Sequence, residues 1–249
     1  MNEFDILSPA LKSEDLNDAI LAISDVITLP SEYTADGISG RAAPHAAIHL
    51  VPYGVNNTKF TFRSKRPADS IRVVARANNV RKGGHLLLRA LENVASTLLQ
   101  LAAGLSVEVV IVGTLEERLR PMLDALRLPE GVSVVTRVIP HIDMPEFLST
   151  AHIFVMPSLS ESMSLICVEA MQMGLPIIAT PYCGMDALKG GKIGIEIADN
   201  VAAVADGLVA AFSRRDQWRD WGSDARNAAA QLTWKRYEMS VAAIAKGLI

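Results

Sequence analysis

From Ile71 onward, short β-branched runs alternate with longer amphipathic stretches, and this alternation constrains the fold more than any other feature of the chain. The runs are IRVVARA from Ile71, VEVVIVG from Val107, VSVVTRV from Val132, HIFVMPS from His152, LPIIATP from Leu175 and KIGIEIA from Lys192. Apolar runs this short and this continuous suit strands buried on both faces. Between them, KGGHLLLRALENVASTLLQLAA, LEERLRPMLDALRL, DMPEFLSTA, SLICVEAMQMG and the segment around GMDALKG read as helical connections. Most are long enough for right-handed βαβ crossovers. The pattern predicts an α/β fold in which a parallel sheet carries helices on both faces. After Asp199 the chain reads as wholly helical, with a last helix starting near Thr233.

The first sixty residues read differently. They offer one helix at about Ser13 to Ser24, a strand in DVITLP, a helix after Ser31 and a strand in AIHLVP. Two βα units are too few to close a sheet and bury both its faces. Residues 1–60 are therefore expected to be a partial N-terminal α/β piece with a linker, 61–230 the main domain and 231–249 a C-terminal helix. The polar stretch NNTKFTFRSKRPADS reads as the linker. An incomplete sheet leaves an edge and an apolar face uncovered, which predicts self-association or a partner chain.

Half of the 249 residues are hydrophobic and a fifth are charged, enough for a large core. A formal net charge of -3 gives no basic field, so no nucleic-acid partner is expected, while peripheral membrane contact stays open. Cys167 and Cys183 are too few for a disulfide framework, and no metal-ligand spacing is present. With no signal-like core at the N-terminus and no apolar run of about 18 residues, a cytoplasmic location is expected.

In an open parallel sheet, ligands bind beyond the carboxyl ends of the strands, so the chemistry is sought in those loops. The loop after IRVVARA places Arg76 at the strand end and Lys82 before Gly83-Gly84 at a helix start. Two cations, glycines that permit close backbone approach and a helix N-terminus together suit a diphosphate. The same spacing also suits two solvated loop cations beside an ordinary turn. The loop after HIFVMPS places Glu161 and Glu169 eight positions apart, with Ser162 and Ser164 at the turn into a helix. Carboxylates accept hydrogen bonds from paired hydroxyls such as those of ribose or a hexose, and serine N–H groups can face an anion. Equally, Glu161 could be an exposed loop carboxylate and Glu169 an ordinary helix residue.

The run ESMSLICVEAMQMGLPIIATPYCGMDAL resembles the glutamate-x7-glutamate region of retaining glycosyltransferases of the GT-B fold, family four, the glycosyl transferases group 1. The resemblance rests on Pro157-Ser158, Glu161, Glu169-Ala170-Met171, Gly174 and Pro176, on Arg76 with Lys82-Gly83, and on Ile111 to Gly113. The tail LTWKRYEMSVAAIAKGL is similar to the family's Trp-containing last helix. SDVITLPSEYTADGI with IHLVPYGVNNTKF is similar to the end of its N-terminal domain and interdomain linker.

That resemblance implies the C-terminal, Rossmann-like half of a GT-B fold, binding a nucleotide-diphosphate sugar and passing the sugar to an unidentified acceptor. It implies catalytic roles for Arg76 and Lys82 on the diphosphate and for Glu161 on the donor sugar. It implies donor binding by Gly83 and Gly113, by Val138 and Ile139 flanking the base, by backbone around Ser162, Met163, Ser164 and Leu165 near the sugar and distal phosphate, and by Glu169 on the ribose. No cofactor or metal is expected, since two cations replace one. Departures from the pattern are Ser162 and Ser164 in a turn that often carries glycines, and the lack of most of an acceptor domain with its histidine. His45, His49, His85, His141 and His152 match no family motif and read as surface or structural residues; Trp218, Trp221 and Trp234 read as packing. The alternatives are a non-catalytic nucleotide-sugar binding or regulatory module, a GT-B epimerase or phosphorylase, and a flavodoxin-like scaffold.

Overall fold

The computed structural model describes residues 11–67 and 69–247, with side chains from Asn17 onward. All six runs form strands of one parallel sheet. They are β3 (Ser70–Ala75), β4 (Ser106–Val112), β5 (Val132–Arg137), β6 (Ile153–Met156), β7 (Ile177–Ala179) and β8 (Gly194–Glu196), after β1 (Val26–Leu29) and β2 (Ala47–Leu50) in the N-terminal piece. The order across the sheet is β5-β4-β3-β6-β7-β8. The chain builds outward from β3 through β4 to β5, then returns to lay β6 on the other side of β3. This reversal is the topological switch where parallel sheets open a crevice beyond their carboxyl ends.

Strand periodicity sorts the core into two layers. Val73, Ala75, Ile153 and Val155 point to the face covered by α3 (Gly84–Leu101) and α7 (Val201–Ser213). Val74, Phe154 and Met156 point to the face covered by α5 (Met144–Ser149) and α6 (Leu165–Gln172). Successive side chains of a strand alternate between faces, so an all-apolar run is required when helices lie on both. The helix α8 (Trp218–Ala230) serves both layers: Trp218 and Trp221 join the first, Ala225 and Ala229 the second. Between β4 and β5 lie a 3₁₀ turn and the short helix α4 (Arg120–Asp124).

One connection departs from the expected helix. Between β7 and β8 the chain makes two 3₁₀ turns, Pro181–Cys183 and Asp186–Leu188. Pro181, Gly184 and Gly190-Gly191 interrupt this segment every few residues, which no α-helix tolerates.

The N-terminal piece consists of α1 (Leu11–Ile23), β1, α2 (Glu32–Gly37) and β2, with β1 and β2 paired in parallel. Ser31 caps α2 reciprocally with Thr34. Ile20, Ile23, Ile48 and Leu50 of this piece are 45–79% exposed, so an apolar surface is uncovered as the incomplete sheet predicts. No described helix is long and apolar enough to cross a membrane.

The polar stretch read as a linker is packed into the main domain. Phe60 is 1% exposed and joins Val74, Phe154 and Met171 in the second layer. Phe62 lies under the guanidinium of Arg226, 4.4 Å from its ring centre. The last helix α9 (Trp234–Gly247) lies against this same region: Val55 bridges to Thr233, and the Tyr53 ring stands 6.3 Å from Trp234. Replacing Phe60 by Ala should therefore lower stability by about 3–5 kcal/mol, as for a buried core aromatic. Chemical denaturation checks this, since a loose tether would show a change near zero.

Candidate functional site

Four loops leave the carboxyl ends of β3, β4, β5 and β6 and enclose a hollow of ≈740 Å³. Its lining brings together Arg76, Lys82, Gly113, Val138, Ile139, Glu161, Ser162, Met163, Ser164, Leu165 and Glu169. Gly83 alone among the expected site residues is not part of that lining. It serves beneath the site: at φ +71°, a Cβ there would meet the Pro157 carbonyl oxygen at 1.9 Å, so only glycine lets the loops after β3 and β6 touch. Gly113 (φ +111°) makes similar room for Arg76, whose Nη1 would lie 2.3 Å from an added Cβ.

The cations at the end of β3 are held by specific partners. Arg76 donates through Nη1 to the Val112 carbonyl at 2.8 Å. Burial lowers its pKa, and the Glu161 carboxylate opposes that shift. Lys82 reaches Glu161 Oε1 at 2.7 Å, with side chains only 12% and 14% exposed. Arg81, which spacing did not single out, donates to the same Oε1 at 2.8 Å and to the Ser160 carbonyl at 2.6 Å. The Ser158 hydroxyl lies 3.3 Å from that oxygen. Arg76, Arg81 and Lys82 face a single carboxylate, so the rim keeps a formal positive excess.

The turn into α6 is arranged differently from what its serines suggested. The Ser164 N–H donates to the Cys183 carbonyl at 2.9 Å and is not free for an anion. Its hydroxyl points to the Met156 sulfur, 2.9 Å away, and does not cap the helix. The first amides of α6, at Leu165 and Ile166, receive no side-chain cap, and both residues line the hollow. The Ser162 carbonyl accepts from the Ser31 hydroxyl at 2.5 Å, which fastens the N-terminal piece to this turn. A T-shaped contact of Tyr33 with Tyr182 and the ion pair of Glu32 with Lys189 extend that seam.

Glu169 projects from the middle of α6 and is 14% exposed. Its Oε1 lies 2.7 Å from His141 Nε2, and Lys59 Nζ lies 2.7 Å from His141 Nδ1. Burial raises the Glu169 pKa, while His141 and Lys59 pull it down. Lys59 and the wall residue Tyr53 escaped sequence reasoning, and His141, read as a surface or structural residue, instead lines the hollow and bonds Glu169. His141 belongs to no motif, yet it sits two residues beyond Ile139 in a strand-end loop already singled out. The expected reading does hold for His152, which is half-buried among Arg66, Arg215 and Arg72, with a pKa lowered to about 4. Cys167 and Cys183 are free and buried, Trp218 and Trp221 are core, and Trp234 stacks near Tyr53 and Tyr237. Among the described residues, no three His, Cys, Asp or Glu side chains gather as a metal site would require.

Residues 68–214 match the family model of the glycosyl transferases group 1. The chain belongs to this family. It is 26% identical over 208 residues to a putative colanic acid biosynthesis glycosyltransferase of Salmonella typhimurium, covering 80% of this chain and 48% of that protein. The chain spans about half the length of the curated relatives it matches. Among solved structures, sucrose-phosphate synthase from Thermosynechococcus elongatus superposes with a TM-score of 0.78 at 21% identity, over 93% of this chain and 60% of that one. Anabaena HepE, solved in complex with UDP and glucose, gives 0.72 at 15% identity, over 91% and 64%. These likenesses establish the Rossmann-like layout of a GT-B glycosyltransferase for this member of the family.

The environment of Glu169 sets a titration prediction. Its carboxyl should titrate above the ordinary 4.5, and Lys59→Met should raise the midpoint further by removing a cation that favours the charged form. Because the folded value exceeds the unfolded one, the stability this group contributes is full below pH 4.5 and is lost as pH rises through the folded midpoint. Carboxyl-detected NMR across pH 3–8 in both proteins checks the order of the midpoints.

Proposed function

We propose that this chain forms the donor-binding half of a retaining glycosyltransferase, which binds a nucleotide-diphosphate sugar and transfers its sugar to an acceptor. The single observation that carries this reading is the convergence of Arg76, Lys82, Glu161 and Glu169 on one hollow at the sheet's switch point. Cations and acids in one site suit a ligand that is anionic at one end and rich in hydroxyls elsewhere. A nucleotide-diphosphate sugar is such a ligand, and the UDP and glucose bound by Anabaena HepE are consistent with it.

In this reading Arg76 and Lys82 hold the diphosphate. An ammonium has three donors and Glu161 takes one, so Lys82 keeps two for phosphate oxygens. Arg81 adds field from the rim. The uncapped first amides of α6 extend the anion site. Lys82, Arg81 and Ser158 all bond to Oε1 of Glu161, leaving Oε2 to accept from a donor-sugar hydroxyl. Val138 and Ile139 flank the base, and Glu169 takes the ribose hydroxyls. As the sugar–phosphate bond breaks, negative charge grows on the diphosphate, and cations fixed beside it favour the transition state over the ground state. Attack on the same face as the departing diphosphate retains configuration without a carboxylate nucleophile. No metal is invoked, since the side-chain cations provide the charge compensation.

The acceptor site requires an acceptor domain or a partner chain facing this hollow. The uncovered apolar residues Ile20, Ile23, Ile48 and Leu50 support such an association. Two free, buried cysteines agree with a reducing cytoplasm.

Removal of either cation tests the assignment. A charge-assisted hydrogen bond contributes about 1.5–3 kcal/mol, so Arg76→Ala or Lys82→Ala should weaken UDP or GDP binding by about tenfold to a hundredfold. Calorimetry reads this directly, and unchanged affinity in both variants refutes the assignment. Product analysis with donor and acceptor present separates transfer from binding alone.

A further inference from the structure

Glu169 does not stand alone in the hollow. Lys59 Nζ, His141 and Glu169 Oε1 form a chain of two 2.7 Å hydrogen bonds that runs from the residues 56–60 turn to the helix α6. The turn fixes its own end: the Lys59 N–H donates to Asn56 Oδ1 at 3.0 Å, the Phe60 N–H to the Asn56 carbonyl at 2.9 Å, and Phe60 is core. The Phe60 ring also stands 5.8 Å from the imidazole and flanks it.

The direction of the chain follows from donor chemistry. An ammonium has only protons to give, so Lys59 must donate and His141 Nδ1 must accept. The remaining proton of the neutral ring then sits on Nε2 and is donated to Glu169. One oxygen of the carboxylate is thereby tied, and its χ rotation is restrained. The second oxygen keeps its lone pairs for a ligand. A free glutamate on the first turns of a helix would instead share several rotamers, and ordering it would cost affinity.

The geometry points to His141 as a positioning residue that aims Glu169 at the ribose hydroxyls of the donor, with Lys59 selecting the imidazole tautomer that can do so. This rests on the reading of Glu169 as the ribose acceptor. It makes the 56–60 turn part of the binding site, although neither Lys59 nor Phe60 lines the hollow.

A ligand-deletion cycle tests this. UDP, GDP and their 2′,3′-dideoxy counterparts are titrated calorimetrically into the wild-type chain and into Glu169→Ala, His141→Ala, His141→Gln and Lys59→Met. His141 is 65% exposed, so its replacement does not threaten the core. The expected result is about a tenfold loss for the ribonucleotide in His141→Ala. The loss should be under about twofold for the dideoxy ligand, which has no hydroxyls for Glu169 to hold. Gln places an amide N–H within reach of Glu169 and should recover most of the loss; Lys59→Met should show a smaller loss with the same ligand dependence. Equal losses on both ligands mean a merely structural histidine and overturn the inference. So does an unchanged affinity in His141→Ala while Glu169→Ala discriminates the ligands. If Glu169→Ala fails to discriminate them, or the wild-type chain binds neither diphosphate, the reading of the hollow itself falls, and the role of His141 falls with it.

Discussion

Three cations cannot sit together at the end of one strand without a counter-charge, and Glu161 provides it. Arg81 and Lys82 leave β3 on a loop that would repel itself if it stood alone; Glu161 arrives from the loop after β6, some eighty residues later, and accepts from both on one oxygen. The two loops are neighbours only because β3 and β6 pair at the reversal of strand order. Charge, topology and the close approach at Gly83 thus depend on one another. Without the crossover there is no carboxylate for the cations, and with a side chain at residue 83 the loops could not meet.

The same arrangement explains why an acid can sit among cations. A carboxylate that holds two cations in place lowers their net charge, yet it stores them in position and removes the need to order long side chains when a ligand enters. Arg76 is fixed in another way, against the Val112 carbonyl, so the site does not depend on one contact to hold every cation. In the proposed function, preorganisation of this kind would favour charge that develops late, because the donors need not reorganise as the bond breaks.

Much of this was legible in the sequence for definite reasons. The inner strands β4, β3, β6 and β7 are buried on both faces, so their apolar runs are nearly unbroken, and the rule that ligands gather at strand ends points to the loops that carry Arg76, Lys82 and Glu161 and lead into the helix of Glu169. What stayed hidden lay in contacts, not in patterns. Lys59 and His141 are 82 residues apart, and nothing in either segment announces the other. The Ser164 amide looks free in sequence because its partner, the Cys183 carbonyl, lies beyond the next strand. The stretch NNTKFTFRSKRPADS has the composition of a tether, and its polar residues masked Phe60, which is buried in the core, and Phe62, which lies exposed under Arg226.

That misread stretch carries the widest consequence. Phe60 belongs to the core, Lys59 beside it begins the chain to Glu169, and Tyr53 a few residues earlier both lines the hollow and contacts Trp234 and Tyr237 of α9. Adjacent side chains of one short segment therefore serve the core, the chain of contacts to Glu169 and the docking of the last helix. A change in how residues 53–60 lie must disturb all three at once, because a backbone anchored by a buried aromatic has little freedom to adjust one neighbour alone. The Ser31 hydroxyl on the Ser162 carbonyl makes a second attachment, at the turn into α6. Both attachments join the first sixty residues to loops of the hollow. In the proposed function, an acceptor-side structure continuous with those residues would be tied to the walls of the hollow at both places.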